Sequence, residues 1–186
     1  MTVDEFIAWD VARGRKHPKY QLFDGEVRAL SPASNTHGTI QATLASEIGI
    51  HLKAPGSKCK VLTEPAIETR IRAKVNLRIP DLGVNCTPDR EGQIALPEPI
   101  LLIEILSPSN QKDTWDNVWA YTTIPSVREI VIVQSTRIEA LVLRRQADGA
   151  WPADPDTIDA GAELVFASID LNLPLVSAYA KTHLAP

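Results

Sequence analysis

The chain has 186 residues, 44% hydrophobic and 23% charged, enough to bury a full core as one globular domain over residues 1–186 without disulfides or structural metal. With 19 basic against 23 acidic residues the net charge is −4, which offers no overall attraction to nucleic acid and leaves that task to local basic patches. No apolar run approaches the roughly 20 residues that cross a bilayer, and Met1–Glu5 lacks the basic start of a signal peptide, so no membrane role is expected and the cytoplasm is the default location. Cys59 and Cys86 sit in no C-x-x-C spacing and are expected to be reduced core residues.

In chain order, Thr2 with Glu5 three residues on forms a capping box for a first helix that carries Phe6, Ile7 and Trp9 and ends near Gly14. Tyr20–Phe23, Asp24-Gly25 and Val27–Leu30 predict a hairpin with a tight type I′ turn. A second helix starts after Asn35, because Ile40, Leu44, Ile48 and Leu52 recur every four residues until Pro55-Gly56. His37, Glu47 and His51 step along the same side, so polar groups on it either face a site or flank the apolar stripe in solvent. Lys58–Ile71 alternates around a Glu64-Pro65 break and predicts one bent strand or two short ones.

The stretch Leu77–Val84 reads as a buried strand, as does Pro99–Leu106, with an exposed loop between Cys86 and Pro99. A helix from about Asp113 predicts an inward face of Trp115, Val118, Trp119 and Thr122. Arg128–Gln134 and Ile138–Arg145 predict a second hairpin, followed by a loose connection, a short strand at Leu164–Phe166 and a helical turn after Pro174. The whole predicts an α/β domain with a mixed central sheet flanked by helices.

Two of these strands carry an anomaly. Asp81 and Glu104 each interrupt an apolar run, and a buried carboxylate is costly unless it is paired, protonated or bound to a cation. If the strands are neighbours, one divalent ion, Mg²⁺ or Mn²⁺, serves both residues and keeps positions for water and phosphate. Arg70, Arg72, Lys74 and Arg78 form a local basic cluster suited to a phosphate backbone or simply a solvated turn.

Ile79-Pro80-Asp81 followed by Ile103-Glu104-Ile105-Leu106-Ser107-Pro108-Ser109 resembles the Pro-Asp…(Asp/Glu)-x-Lys nuclease superfamily, and within it the Uma-two family. The likeness extends to Tyr20…Asp24-Gly25-Glu26, Ser31-Pro32-Ala33, His37-Gly38, Asp113, Tyr121 and Ile124–Glu129, and so covers most of the chain. It implies a restriction endonuclease-like fold, Mg²⁺-dependent hydrolysis of nucleic acid, with DNA favoured, and a homodimer, since two strands are cut. It also implies metal ligation by Asp81 and Glu104 and accessory places for His37 and Glu26. The superfamily lysine two residues after the glutamate is here Leu106, and the lysine that the Uma-two group carries four residues after the equivalent of Asp113 is here Asn117. Asn117 supplies hydrogen bonds without charge, and Lys112 is the nearest spare cation. The rival readings are a nuclease fold that binds without cutting and a regulatory homo-oligomer whose carboxylates serve packing.

Overall fold

The computed structural model describes residues 1–14 and 19–185. Helix α1 (Val3–Ala12) opens on the expected capping box, with the Thr2 side chain accepting from the Glu5 N–H and the Glu5 carboxylate accepting from the Thr2 N–H. Strands β1 (Tyr20–Phe23) and β2 (Glu26–Ala29) meet at Asp24 and Gly25, whose φ values of 49° and 85° are the left-handed pair that a type I′ turn demands. Helix α2 (Asn35–Leu52) is capped by Ser34, whose hydroxyl accepts from the His37 N–H, and it buries His37, Ile40, Leu44, Ile48 and Leu52.

The Glu64-Pro65 break divides the next segment into β3 (Lys60–Thr63) and β4 (Ile67–Glu68). The stretch read as a single strand from Leu77 to Val84 is two: β5 (Leu77–Arg78) and β6 (Leu82–Asn85). Pro80 lies between them, and with no N–H to give to a ladder it ends pairing with one sheet before pairing with the next begins. Then come β7 (Leu101–Leu106), α3 (Gln111–Tyr121), β8 (Glu129–Gln134) and β9 (Glu139–Arg144). The C-terminal part is more regular than its prolines suggest, with β10 (Asp156–Asp159), β11 (Glu163–Phe166), β12 (Leu171–Pro174) and a 3₁₀ turn at Leu175–Tyr179.

Six strands form the central sheet in the order β10-β9-β8-β7-β6-β3. Its one parallel pair, β7 with β8, is bridged by α3, the crossover that parallel strands require. A second sheet, β2-β1-β5-β4, carries α1. Alternation along β7 sends Leu101, Ile103 and Ile105 toward α2, into a core with Ile40, Leu44 and Ile48. Leu102 and Leu106 point the other way, to Val118 and Tyr121 of α3. Glu104 shares their face, which places its carboxylate beneath α3.

Three local expectations are corrected. Cys59 and Cys86 are joined in a disulfide, because they occupy the rung next to the Lys60–Asn85 pair of β3 and β6. Trp119 is 48% exposed, since α3 turns Thr114, Asn117, Val118 and Tyr121 inward and leaves Trp115 half-buried at the margin. The basic cluster disperses: Arg72 pairs with Asp24 at 2.8 Å, and Arg78 is buried, donating to the Leu22 carbonyl and lying over the Phe23 ring.

Candidate metal centre and nucleic-acid cleft

Strands β6 and β7 are antiparallel, with Leu82 opposite Ile103, so one further step sets Asp81 opposite Glu104. Side chains on facing positions lie close together, and both residues line one cavity of about 1170 Å³. The cavity is walled by the start of α2, the head of β6, the end of β7 with its Ser107–Asn110 turn, and α3.

Each carboxylate is held from two sides. Asp81 Oδ1 lies 2.7 Å from His37 Nε2, and Oδ2 accepts from the Ile105 N–H at 2.6 Å. Its backbone carbonyl accepts from Gln41 Nε2 and from the Glu64 N–H. Glu104, 4% exposed, accepts at Oε1 from the Tyr121 hydroxyl at 2.8 Å and from Asn117 Nδ2 at 3.2 Å. Burial pushes the Glu104 carboxyl well above the usual carboxylate range, and the neighbouring charge of Asp81 pushes it further. The two hydrogen bonds oppose that rise without cancelling it. Burial and the Glu104 charge likewise raise the Tyr121 phenol, keeping it a neutral donor.

This donor set fits a hard divalent cation. Two carboxylates converge, and burial together with the charge of Asp81 disfavours ionisation of Glu104, a cost that a cation removes. Among the described residues three buried side-chain oxygens have no hydrogen-bond partner, Gln21 Oε1, Asn85 Oδ1 and Asn117 Oδ1, and two of them belong to residues that line the cavity, Gln21 and Asn117. Among the described residues no group of three or more His, Cys, Asp or Glu is placed to hold a metal, so the protein ligands on offer are the two carboxylates. An ion such as Mg²⁺, which keeps several waters, is one that so few protein ligands could hold.

The other expected site residues fall inside and outside this cleft. His37 and Asn117 are within it, each bonded to one of the carboxylates. Glu26 is exposed on the hairpin beside Arg28, because the tight turn directs it to solvent. Glu47 is exposed too, since α2 packs through Leu44 and Ile48 and turns position 47 outward, while His51 lies beside the Ile169 carbonyl. Lys112 has an 86% exposed side chain 3.4 Å from Asp116 and does not line the cavity. Leu106 is buried under α3.

Tyr121, Gln41 and Lys19 escaped sequence reasoning as site residues. Tyr121 follows Asn117 by four residues, a helical spacing that gives both side chains the same target. Lys19 lines the cavity and pairs with Glu64, and no local pattern around either residue announces that contact.

A family profile described as "Uma2: Putative restriction endonuclease" matches residues 3–168. The chain belongs to this family. An uncharacterized protein from Synechocystis sp. is 28% identical to this Uma2 chain over 153 residues, 81% of this chain and 77% of the relative. A crystal structure described as a "putative nuclease belonging to DUF820" from Anabaena variabilis superposes with a TM-score of 0.75 at 19% identity, covering 97% of this chain and 98% of the other. The fold is therefore restriction endonuclease-like. Among the described residues no helix is long and apolar enough to cross a membrane.

Proposed function

We propose that this Uma2 protein is a Mg²⁺-dependent endonuclease that hydrolyses phosphodiester bonds of DNA, with Asp81 and Glu104 as the metal ligands. The observation that carries the reading is the facing pair itself: two carboxylates opposite one another on neighbouring strands, in a cleft of about 1170 Å³, in a nuclease-like family.

Asp81 and Glu104 would hold a divalent ion, which when bound would supply polarisation of the scissile phosphate and activation of a water nucleophile. The chain's own groups prepare that chemistry. His37 and the Ile105 N–H fix both oxygens of Asp81, so its orientation is set before an ion arrives. Tyr121 and Asn117 hold Glu104 Oε1, so one oxygen is committed to the helix and the other is left for ligation. The closed apolar packing around β7 keeps bulk water from the Glu104 side of the pair.

Two strands require two cuts, so the proposed working form is a homodimer. A second reading, a cleft that binds nucleic acid without cutting it, is favoured by one observation: neither motif position for the lysine carries charge, Leu106 being core and Asn117 neutral. Nicking of supercoiled plasmid decides between them. Cleavage in Mg²⁺ or Mn²⁺ that stops in EDTA and in Asp81→Ala is the expected result. Absence of cleavage with any divalent ion, together with retained DNA binding, refutes the enzyme and leaves the binding module.

A further inference from the structure

We propose that Lys19 is the phosphate-binding cation of this cleft, occupying in space the role for which neither Leu106 nor Asn117 carries a charge. The inference rests on the nuclease reading and deepens it. Lys19 immediately precedes β1, where its carbonyl accepts from the Leu30 N–H and fixes the backbone. Lys19 and Gln21, two residues apart along that segment, share a face, and both line the cavity that holds Asp81 and Glu104. Among the described cavity-lining residues Lys19 is the sole lysine or arginine, against Glu64, Asp81, Glu104 and Asp113.

Its ammonium pairs with Glu64, and that pair ties it to the metal centre. Thr63 faces Leu82 across β3 and β6, so Glu64 stands beside Asp81, and the Glu64 N–H donates to the Asp81 carbonyl at 2.9 Å. The lysine is thus held at the wall next to Asp81 while its side chain remains 41% exposed. A half-exposed ion pair is weak, and a flexible ammonium exchanges it readily for phosphate oxygens. Glu64 parks the cation when the cleft is empty of nucleic acid. Glu64, Asp81, Glu104 and Asp113 set an acidic lining against a phosphate backbone, so the exchange adds to a bound metal ion the side-chain cation that binding and transition-state charge call for.

The test uses the full chain with a supercoiled plasmid in Mg²⁺ and a short DNA duplex in Ca²⁺, alongside Asp81→Ala. Lys19→Met is expected to lose about 10²–10³ in cleavage rate and to flatten the salt dependence of duplex binding by about one counterion. Its Mn²⁺ affinity by calorimetry does not weaken. Lys19→Arg keeps most of both properties and controls for folding, and Glu64→Gln, which frees the ammonium, tightens duplex binding. The double variant Lys19→Met, Glu64→Gln stays defective; its recovery to wild-type levels would show that Lys19 merely neutralises Glu64 and overturns the proposal. An unchanged salt slope in Lys19→Met also overturns it, whatever happens to the rate. If wild type cuts nothing while Lys19→Met still flattens the slope, the hydrolytic reading falls and the phosphate contact stands.

Discussion

Tyr121→Phe tests the organisation of Glu104 without touching a proposed ligand. The hydroxyl is fully buried and 2.8 Å from Glu104 Oε1, so its loss cannot be made good by solvent. A hydrogen bond to a charged group contributes about 1.5–3 kcal/mol, and one between neutral groups about 0.5–1.5 kcal/mol. Which value applies depends on whether Glu104 is ionised. Its carboxyl titrates above the ordinary carboxylate range, so the stability it contributes is full below the unfolded-state pKa and is lost as pH rises through the folded one. Removing the phenol raises the folded pKa further, because that bond is one of the two influences holding it down. The variant therefore differs least from wild type at low pH, where Glu104 is protonated in both, and most at high pH, where both are charged. At about 2–4 °C per kcal/mol for a chain of this size, the deficit in melting temperature is about 1–6 °C at low pH and about 3–12 °C at high pH. Thermal unfolding followed by circular dichroism in EDTA, from pH 5 to pH 9, measures it. A deficit that stays constant or shrinks as pH rises would refute the assignment of Tyr121 as a support of the charged carboxylate.

Mn²⁺ affinity, measured by calorimetry, is expected to rise with pH, because the proton retained by Glu104 must leave before the ion binds; a flat affinity refutes the elevated pKa. His37→Ala removes the 2.7 Å contact to Asp81 and is expected to weaken Mn²⁺ binding about 10–100-fold, an outcome read in the same titration. Asn117→Lys sets an ammonium against Glu104, lowers its pKa and raises plasmid nicking; unchanged nicking means that charge at this helix position does not limit turnover. Gly83→Ala places a methyl group 2.8 Å from Pro65 Cγ and 3.0 Å from Leu96 Cδ2, and overpacking of this kind costs about 1–3 kcal/mol, seen as a lower urea midpoint.

What the sequence makes legible is what local chemistry decides. Thr2 with Glu5, Asp24 with Gly25, and the four-residue spacing of α2 specify their elements without reference to the rest of the chain. Asp81 and Glu104 are legible for a different reason, since a carboxylate within an apolar run is improbable without a purpose. Glu47 misleads because an α-helix advances 3.6 residues per turn, and the choice between positions 47 and 48 belongs to what the helix packs on. Trp119 misleads similarly, size favouring burial until Thr114 and Asn117 prove to be the residues that face the sheet. The Cys59–Cys86 bond and the Lys19–Glu64 pair depend on the register of β3 with β6 and on the placement of β1, neither of which any short stretch encodes.

The crossing at Pro80 ties α1 and β5, none of whose side chains line the cavity, to the proposed metal site. Arg78 is the last paired residue of one sheet and Leu82 the first of the other, so Asp81 is suspended between two ladders by a span of three residues. A strand advances about 3.3 Å per residue, and an octahedral ion accepts oxygen only within a narrow shell at about 2.0–2.1 Å. A slip of β5 by a single rung against β1 would therefore withdraw Asp81 from coordination while leaving every ligand in the sequence intact. The hairpin and α1 act as the gauge against which the proposed site is set, and damage to them would weaken that site from a distance.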